Sequence, residues 1–520
     1  MNGFDAIVVG SGATGSWATK LLSENGLTVL VLDCGNIPDN TDIAGYDLPL
    51  VQREPGDERQ LTQSQCCAFS PSTRHLFVDD IEQPYDTPVD KPFTWIRTRV
   101  IGGRTALWFG TALRMSDRQF SAASLDGFGV NWPIRYEDLR PHYELAERFL
   151  RVTGIEEKLE EIPDGIFLPV TLPAVARVFQ QAVHKHWPDR VVTALRRARI
   201  AELTPLDASE RERNARLSAC SGGAALCAAD STGRMTVRSN ARVLQVMTND
   251  AGSRAEGVVY IDGLTGKEVE VHGKVVILCA STIETTRIML SSATRAHPNG
   301  LGNSHGILGQ YLMDHTSGVG VVGYRLGSCQ NNSELYIPNF RNRAGSKSQF
   351  IRGYGIQGSI RPFNDQTIEC ALGCFGEVLP RAENQVRLGN RNDKWGVPVP
   401  QVTYAYSDNE FEMANDQATE LARIVECSGF DIGHRQGLGV PGGSIHEVGG
   451  ARMGLDPKTS VLNSHNQCWR VHNLFVTDGA AFPTAGFQNP TLTMMALTGR
   501  ACDYILQEFK RESTRPFISK

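Results

Sequence analysis

The chain has 520 residues, of which 41% are hydrophobic and 21% charged. These proportions are typical of a globular protein with a large core and argue against wholesale disorder. Lysine and arginine number 52 against 57 acidic residues, so the formal net charge of −5 gives no support for nucleic acid or an anionic membrane surface as the main partner. At this length the sequence predicts two large domains.

The N-terminal sequence MNGFDAIVVGSGATG begins with an apolar, strand-like run. It contains no basic segment, long apolar core or twin-arginine pair, so no secretory signal is visible and we expect a cytoplasmic location. No stretch offers the roughly 18 apolar residues that a membrane-spanning helix needs. The twelve cysteines are therefore interpreted as free thiols. Cys220 and Cys227 are spaced more widely than in the usual zinc sites, and we expect no metal.

The start of the chain predicts a strand, a glycine-rich turn, a helix and a second strand. Apolar residues fill 4–9, small and apolar residues recur at helical spacing over 13–25, and a second apolar run covers 28–32 before Asp33. Between the first strand and the helix stands the sequence GSGATG, which begins at Gly10. This order is typical of a βαβ unit that binds a dinucleotide.

Each residue of the glycine motif has a physical reason. Gly10 makes the tight turn, Gly12 lets the backbone approach a pyrophosphate, and Gly15 allows the helix to pack closely on the strand. Thr14 lies in the first turn of the helix, whose unpaired N–H groups attract phosphate. Asp33 is placed to accept hydrogen bonds from ribose hydroxyls, and this unit alone leaves open whether the dinucleotide is NAD or FAD.

Further elements follow along the chain. A glycine pair, Gly102 and Gly103, stands before a bulky segment and indicates a turn that enters a buried strand. Helices are predicted over 280–290 and from the residues after Gln488 through Leu506. The other strand-like stretches are 235–238, 240–243, 257–262, 267–271, 274–280 and 473–478.

These blocks, in this order, resemble the glucose–methanol–choline (GMC) family of FAD-dependent oxidoreductases. The resemblance is carried by residues 4–35, 97–116, 235–314 and 444–508. It implies an α/β fold in which a discontinuous Rossmann-like FAD-binding domain joins a second, substrate-binding domain built on a β-sheet. It assigns the FAD-binding domain to 1–124, 231–314 and 441–520, and the substrate domain to 125–230 and 315–440.

The resemblance also implies which residues hold FAD. Val243 would contact the adenine through its backbone, Gly102 and Gly103 would pass close to the flavin, and Asp478 with Gly479 would meet the ribityl and pyrophosphate groups. The full set of implied FAD contacts is Gly10, Gly12, Thr14, Gly15, Asp33, Gly102, Gly103, Val243, Ala280, Asp478, Gly479, Asn489 and Thr491.

The segment HEVGGARMG places His446 ahead of a glycine pair. Taken alone, such a histidine is more often structural than catalytic. In the family resembled here, a histidine at this position and a His or Asn before Pro-Thr face the flavin N5 together, which points to His446 and Asn489. His446 would accept the hydroxyl proton as the substrate C–H bond delivers hydride, while Asn489 would hold the developing alkoxide. We interpret the neighbouring Glu447 as a solvated carboxylate.

Within the family, the sequence looks closest to the pyranose 2-oxidase-like, bacterial sugar-oxidising branch, because Asn489 stands where many members carry a second histidine. Fungal pyranose 2-oxidases tether FAD through a histidine before a tryptophan. Here Leu107 precedes Trp108, so we expect FAD to be non-covalent. Phe109 replaces a threonine near N5, which leaves open whether O2 or another acceptor takes the electrons.

The expected reaction is oxidation of a CH–OH group in a sugar, glycoside or aminoglycoside-like alcohol. Two alternatives within the fold are a dehydrogenase subunit that passes electrons to a separate cytochrome and a redox-silent lyase; an ordinary NAD enzyme is a third. The oligomeric state, a homo-oligomer included, stays open. His315 is interpreted as structural. Candidates for a substrate wall, although aromatic residues there are more often core, are Tyr354, Arg361, Phe363, Asn364 and Trp395.

Overall fold

Two β-sheets organise the chain in the computed structural model, which describes residues 3–36, 58–200, 220–338, 340 and 349–514. The strands are β1 Phe4–Val9, β2 Val29–Leu32, β3 Thr153–Gly154, β4 Leu168–Pro169, β5 Thr193–Ala194, β6 Met235–Arg238, β7 Ala241–Thr248, β8 Ala255–Asp262, β9 Glu268–Leu278, β10 His315–Thr316, β11 Gly320–Leu326, β12 Ser333–Ile337, β13 Tyr354–Asn364, β14 Thr367–Glu377, β15 Gln385–Asn392, β16 Pro398–Thr403, β17 Asp431–Gln436 and β18 Leu474–Val476.

The described helices differ widely in length. The α-helices are α1 Ala13–Glu24, α2 Asp117–Phe120, α3 Ala122–Asp126, α4 Tyr136–Leu150, α5 Ala174–His186, α6 Ser221–Asp230, α7 Thr282–Ser291, α8 Asp408–Cys427 and α9 Thr491–Thr514. Short 3-10 helices span Glu58–Gln60, Gln63–Gln65, Arg74–Leu76, Gly103–Ala106 and Gly479–Ala481.

The first sheet has seven strands in the described part of the chain, in the order β6-β2-β1-β9-β8-β7, with β18 beside β9. Strand β1 lies parallel to both β2 and β9, so that Ala6 is in register with Val29 on one side and Val275 on the other. These residues are buried, as expected for parallel strands covered on both faces. Helix α1 packs against α6 and α9. The carboxyl ends of β1 and β2 therefore open beside the N-terminus of α1.

The second sheet also has seven described strands, in the order β17-β11-β14-β13-β12-β5, with β10 beside β14. All of its pairings are antiparallel. Helix α8 packs against β11, β14 and β17, and its buried side chains, such as Leu421 and Val425, join the core of this sheet. The alternation of β13 and β14 leaves Gln357 and Phe375 facing the other way, towards a cavity between the sheets.

Most of the predicted elements are confirmed, and the α/β fold, with two seven-stranded sheets and the two-stranded sheets β15-β16 and β3-β4 among the described residues, agrees with the expected architecture. The strands of the first sheet come from three separated parts of the chain and those of the second sheet from the parts between them. The residue limits assigned to the two domains stay a prediction. Two stretches predicted as separate strands, 267–271 and 274–280, form the single strand β9, and α9 extends beyond the predicted Leu506.

The glycine pair does not lead into a strand, and this prediction was wrong. Gly102 and Gly103 adopt positive φ angles of 91° and 57°, and a 3-10 helix begins at Gly103. A Cβ on Gly102 would lie 2.6 Å from Cys220 Sγ. The pair is needed because the chain turns in the left-handed region where α6 packs against it, which local sequence does not reveal.

Candidate active site

A cavity of about 820 Å³ lies between the two sheets. Such a crevice beyond the carboxyl ends of parallel strands is where α/β proteins bind ligands. Gly15 and Gly102 lie behind the cavity wall. The other predicted site residues all line it, namely Gly10, Gly12, Thr14, Asp33, Gly103, Val243, Ala280, His446, Asp478, Gly479, Asn489 and Thr491.

The three motif glycines have different steric surroundings. Gly10 has a φ of +96°, and a Cβ there would lie 2.4 Å from the Cys279 carbonyl oxygen. A Cβ on Gly15 would lie 1.8 Å from the Gly10 carbonyl oxygen, so the first turn of α1 and the loop can pack only with glycine there. A Cβ on Gly12 would meet nothing within 4 Å. Gly12 therefore leaves open space at the N-terminus of α1, where phosphate would be attracted.

Asp33 is both a cavity residue and an anchor of the glycine loop. One carboxylate oxygen accepts hydrogen bonds from Ser11 N and Oγ at 2.8 and 2.6 Å, and the other accepts from Gly35 N at 2.7 Å. The N–H of Gly102 donates to Ser11 Oγ at 2.9 Å, which ties the glycine pair to the same network. Burial raises the pKa of Asp33. A carboxylate has further lone pairs, so a ribose hydroxyl can still donate to it.

The cavity wall also contains an arginine that sequence reasoning missed. Arg97 is 7% exposed and lines the cavity, yet its Nε and Nη2 have no hydrogen-bond partner among the described residues. The nearest carboxylate oxygen in an ion pair with it is Asp80 Oδ1, at 3.7 Å. Burial, with the charge of Arg99, lowers the pKa of Arg97 to about 10. A buried cation with free donors fits an anionic ligand. The visible signal was an arginine within the apolar stretch FTWIRTRVIGG.

The cavity wall also contains a chain of hydrogen-bonded side chains around His446. His446 Nε2 lies 3.2 Å from Asn489 Nδ2, and His446 Nδ1 lies 2.9 Å from His315 Nδ1. At one end, His315 Nε2 lies 2.9 Å from the Gly486 carbonyl oxygen. At the other end, Gln357 Nε2 donates to Asn489 Oδ1 at 2.7 Å. The structure thus brings the predicted pair together and adds two residues to it.

The carbonyl of Gly486 fixes the direction of every hydrogen bond in this chain. A carbonyl only accepts, so His315 Nε2 carries a hydrogen, and the Nδ1 of a neutral His315 is an acceptor. His446 Nδ1 must then donate to it, which leaves the lone pair of a neutral His446 on Nε2. That lone pair accepts from Asn489 Nδ2, whose side-chain oxygen accepts in turn from Gln357. The arrangement selects the tautomer of His446 whose lone pair is on Nε2, beside Asn489.

Both histidines are neutral around neutral pH. Enclosure by the surrounding protein, together with His315 and Arg104, lowers the pKa of His446 well below its usual 6.5. Burial lowers the pKa of His315 to about 4. The buried Asp314, which accepts from the His446 backbone N–H at 3.0 Å, has its pKa raised to about 7 by burial and by the charge of Glu447.

Glu447 does not face solvent, contrary to the sequence interpretation. The residue is 3% exposed, and Arg104 Nη1 donates to its Oε2 at 2.7 Å. Its Oε1 has no hydrogen-bond partner among the described residues. The loop sequence HEVGG is polar and glycine-rich, which favours an exposed loop, but contact with Arg104 from the glycine-pair segment encloses it.

Comparison with known proteins identifies the family. The sequence profile of GMC oxidoreductases matches this chain over residues 209–317 and, in a second part, over 380–498. The chain belongs to the GMC oxidoreductase family. GMC oxidoreductases bind FAD and oxidise alcohol groups, so this chain is an oxidoreductase whose cavity fits the family's cofactor.

Several GMC relatives align over nearly their whole length. The 2-methyl-1,2-propanediol dehydrogenase of Mycolicibacterium austroafricanum is 29% identical, with 97% of this chain and 95% of the relative covered. The fructose dehydrogenase large subunit of Gluconobacter japonicus is 26% identical over 98% of both chains. The paromamine 6'-oxidase of Streptomyces fradiae is 26% identical over 95% of this chain and 89% of its own.

A solved structure shares the fold of this GMC chain. Formate oxidase superimposes with a TM-score of 0.66 and 15% sequence identity, over 98% of this chain and 100% of that one. At this identity the likeness establishes the fold alone. Among the described residues, no helix is long and apolar enough to cross a membrane, and no cluster of three or more His, Cys, Asp or Glu side chains is arranged to hold a metal ion.

The proposed substrate-wall residues do not line the cavity, and that interpretation was wrong. Tyr354 is buried and donates its hydroxyl to Asp416 at 2.6 Å. Phe363 is 59% exposed at the far end of β13. The remaining three, Arg361, Asn364 and Trp395, also lie outside the cavity. The wall is formed instead by residues nearer the middle of β13 and β14, and no sequence pattern marks which part of these long strands faces the cavity.

The segment after the glycine pair bears on how FAD is held. Leu107, Trp108 and Phe109 all line the cavity, and leucine has no atom that could bond to the flavin. We predict that acid precipitation of the purified protein releases all of its yellow colour into the supernatant, measured by absorbance of both fractions. Colour in the pellet would contradict this and would indicate a covalent link. The first attachment site to test would then be Cys67, which lines the cavity and whose thiol pKa is lowered to about 7 by a hydrogen bond with Cys66.

Proposed function

We propose that this GMC protein oxidises a CH–OH group of a sugar, glycoside or aminoglycoside-like alcohol to a carbonyl, with His446 as the base and Asn489 as its partner. The observation that supports this most directly is the pair formed by the His446 Nε2 lone pair and the Asn489 amide, 3.2 Å apart on the cavity wall. One group accepts a proton and the other donates a hydrogen bond without competing for that proton.

The residues present fit FAD, which when bound supplies the acceptor for the hydride that leaves the carbinol carbon. We assign the diphosphate to the open N-terminus of α1 at Gly12. Asp33 would accept from the ribose, and the backbone at Val243 would contact the adenine. Asp478, which accepts a hydrogen bond from Thr285 Oγ1 at 2.5 Å and caps Ala480 N at 3.0 Å, would hold its loop against the ribityl chain.

The proton step follows from the hydrogen-bond directions. The substrate hydroxyl replaces Asn489 as the donor to His446 Nε2, and its oxygen accepts a hydrogen bond from the released Asn489 Nδ2. As the carbon loses hydride, the O–H bond breaks, the proton stays on His446 Nε2, and a carbonyl forms. His446 then carries hydrogen on both nitrogens, and its Nδ1–H still donates to His315 Nδ1. The lone pair of His315 thus stabilises the imidazolium while it lasts.

The substrate class and the electron acceptor are inferred from the relatives of this chain. The names of the relatives include a sugar dehydrogenase and an aminoglycoside oxidase, which supports a polyhydroxylated alcohol as the substrate. The same names favour a second candidate, a dehydrogenase that passes electrons to an acceptor other than O2, since one relative is the large subunit of such an enzyme. A redox-silent lyase that acts on an alcohol would also need a base for the hydroxyl proton, so reduction of the flavin, and not the His446–Asn489 pair, separates it from an oxidoreductase.

An anaerobic substrate panel tests the proposal. Purified, FAD-loaded protein would be mixed without oxygen with sugars, glycosides and aminoglycosides, and loss of the oxidised-flavin absorption would be recorded for each. We expect at least one class to reduce the flavin fully and to yield the matching carbonyl product by mass spectrometry. Flavin that stays oxidised with every alcohol, but bleaches with dithionite, would refute alcohol oxidation and favour the redox-silent alternative.

A further inference from the structure

Gln357 is a cavity residue at the end of the hydrogen-bonded chain. It lies on β13, in register with Tyr336 on one side and Gly373 on the other, so two neighbouring strands hold its backbone. Its side chain lines the cavity and is 9% exposed. A carboxamide fixed in this way can read the hydrogen-bonding groups of a ligand.

The orientation of this carboxamide follows from the carbonyl of Gly486. The fixed directions through His315, His446 and Asn489 leave Asn489 Oδ1 as an acceptor, so the atom of Gln357 that faces it must be the donor Nε2. The remaining atom, Oε1, makes no hydrogen bond with any described residue. Gln357 therefore offers the cavity an acceptor next to the proposed catalytic pair.

We infer that Gln357 is a specificity-determining residue that selects a vicinal diol, by accepting a hydrogen bond from a hydroxyl on the carbon beside the one oxidised. This inference rests on the proposed function. With the reacting oxygen between His446 and Asn489, a group on the adjacent carbon reaches the next side chain along the wall, which is Gln357. An ether or a bare methylene there supplies no donor and leaves Oε1 buried without a partner.

The preference for a diol over its analogue is set by the free-energy cost of leaving Gln357 Oε1 without a hydrogen-bond donor. When a neutral hydrogen bond is lost and its partner stays desolvated without a replacement, binding and rate fall by a factor of about ten or more. We therefore expect the wild-type protein to be reduced about tenfold or more efficiently by a substrate with the neighbouring hydroxyl than by its deoxy or O-methyl analogue. The carbonyl product of each member is identified by mass spectrometry, and only members that are oxidised at the same carbon are compared.

The probes are matched pairs. One set compares 1,2-propanediol with 1-methoxy-2-propanol and 2-propanol. The other compares methyl glucopyranoside with its monodeoxy analogues. Removal of the hydroxyl that is oxidised should abolish flavin reduction, and removal of the neighbouring hydroxyl should weaken it. Anaerobic stopped flow gives the limiting rate of flavin reduction and the apparent dissociation constant for each, and the ratio within a pair measures how strongly the neighbouring hydroxyl is recognised.

Two variants separate substrate recognition from support of Asn489. Gln357→Met keeps the length of the side chain but has no hydrogen-bonding oxygen, so the preference for the diol should fall to about one. Any loosening of Asn489 would slow both members of a pair equally and leave the ratio unchanged. Gln357→Glu keeps an acceptor and should keep the preference, although all rates should fall because the carboxylate repels Asn489 Oδ1.

The outcomes distinguish this inference from the proposed function. If diols and their analogues reduce the wild-type flavin equally, or if Gln357→Met keeps the diol preference, the inference is overturned while alcohol oxidation stands. If no alcohol reduces the flavin, the proposed function fails and the inference with it. A preference that disappears in Gln357→Met and persists in Gln357→Glu supports the assignment.

Discussion

His446→Ala should slow anaerobic flavin reduction by about two to four orders of magnitude, the share of rate usually supplied by a positioned general base. The substrate hydroxyl would then face the cavity without a group to take its proton, because His315 Nδ1 lies behind His446 and is directed at it. FAD should stay bound, since His446 is not among the residues that we assign to the diphosphate, the ribose or the adenine. Stopped-flow reduction of flavin-loaded variant and wild type measures the effect.

Asn489→Ala is the matched control for this prediction. It removes one hydrogen bond to the developing alkoxide and no proton acceptor, so reduction should slow by less than in His446→Ala. If His446→Ala were reduced at nearly the wild-type rate, the base would lie elsewhere. Equal losses in the two variants would show that they act as one unit without a separate base.

The pH profile gives an independent check on the same histidine. Because the pKa of His446 is lowered, its neutral, basic form persists as pH falls, and the limiting rate should decline only well below pH 6.5. This corrects the expectation from an unperturbed imidazole. That acid limb should vanish in His446→Ala. A separate step near pH 7 that disappears in Asp314→Asn would belong to Asp314, whose pKa is raised to about 7, and would not count against His446.

How far the sequence predicted the molecule depends on how local each feature is. The glycine loop, α1 and Asp33 lie within one short stretch, and spacing alone predicted their structure correctly. His446 and Asn489 are 43 residues apart, and only the family resemblance paired them. No pattern near His446 marks a partner 131 residues away at His315, and none marks Gln357, 132 residues from Asn489.

The errors have the same origin. Glu447 was assigned to solvent because its neighbours are glycines, whereas Arg104, 343 residues away in sequence, encloses it. Gly102 was assigned to a turn before a strand, whereas its left-handed backbone is fixed by contact with Cys220. In each case, tertiary contact between distant segments decided the outcome.

Gly12→Val should abolish FAD binding while leaving the apoprotein folded. Gly12 has an extended backbone, with φ −65° and ψ −162°, and a Cβ there meets nothing within 4 Å, so the fold leaves room for a side chain to begin at this position. The branched side chain would instead fill the space at the N-terminus of α1 that we assign to the diphosphate. The ratio of flavin to protein absorbance after purification should fall to near zero, with far-UV circular dichroism like that of wild-type apoprotein.

Gly15→Ala is the control, and it should destabilise the fold itself, whereas Gly12→Val should affect only FAD binding. Its Cβ would lie 1.8 Å from the Gly10 carbonyl oxygen, so α1 must move away from the loop whether or not FAD is present. Overpacking of this kind costs about 1–3 kcal/mol or more, and thermal unfolding of the apoprotein should shift downward in Gly15→Ala but not in Gly12→Val. Comparing apoproteins matters because bound FAD itself stabilises the folded state. Purification of Gly12→Val with a full complement of FAD would exclude the N-terminus of α1 as the phosphate site, since no diphosphate could approach the helix through a valine side chain.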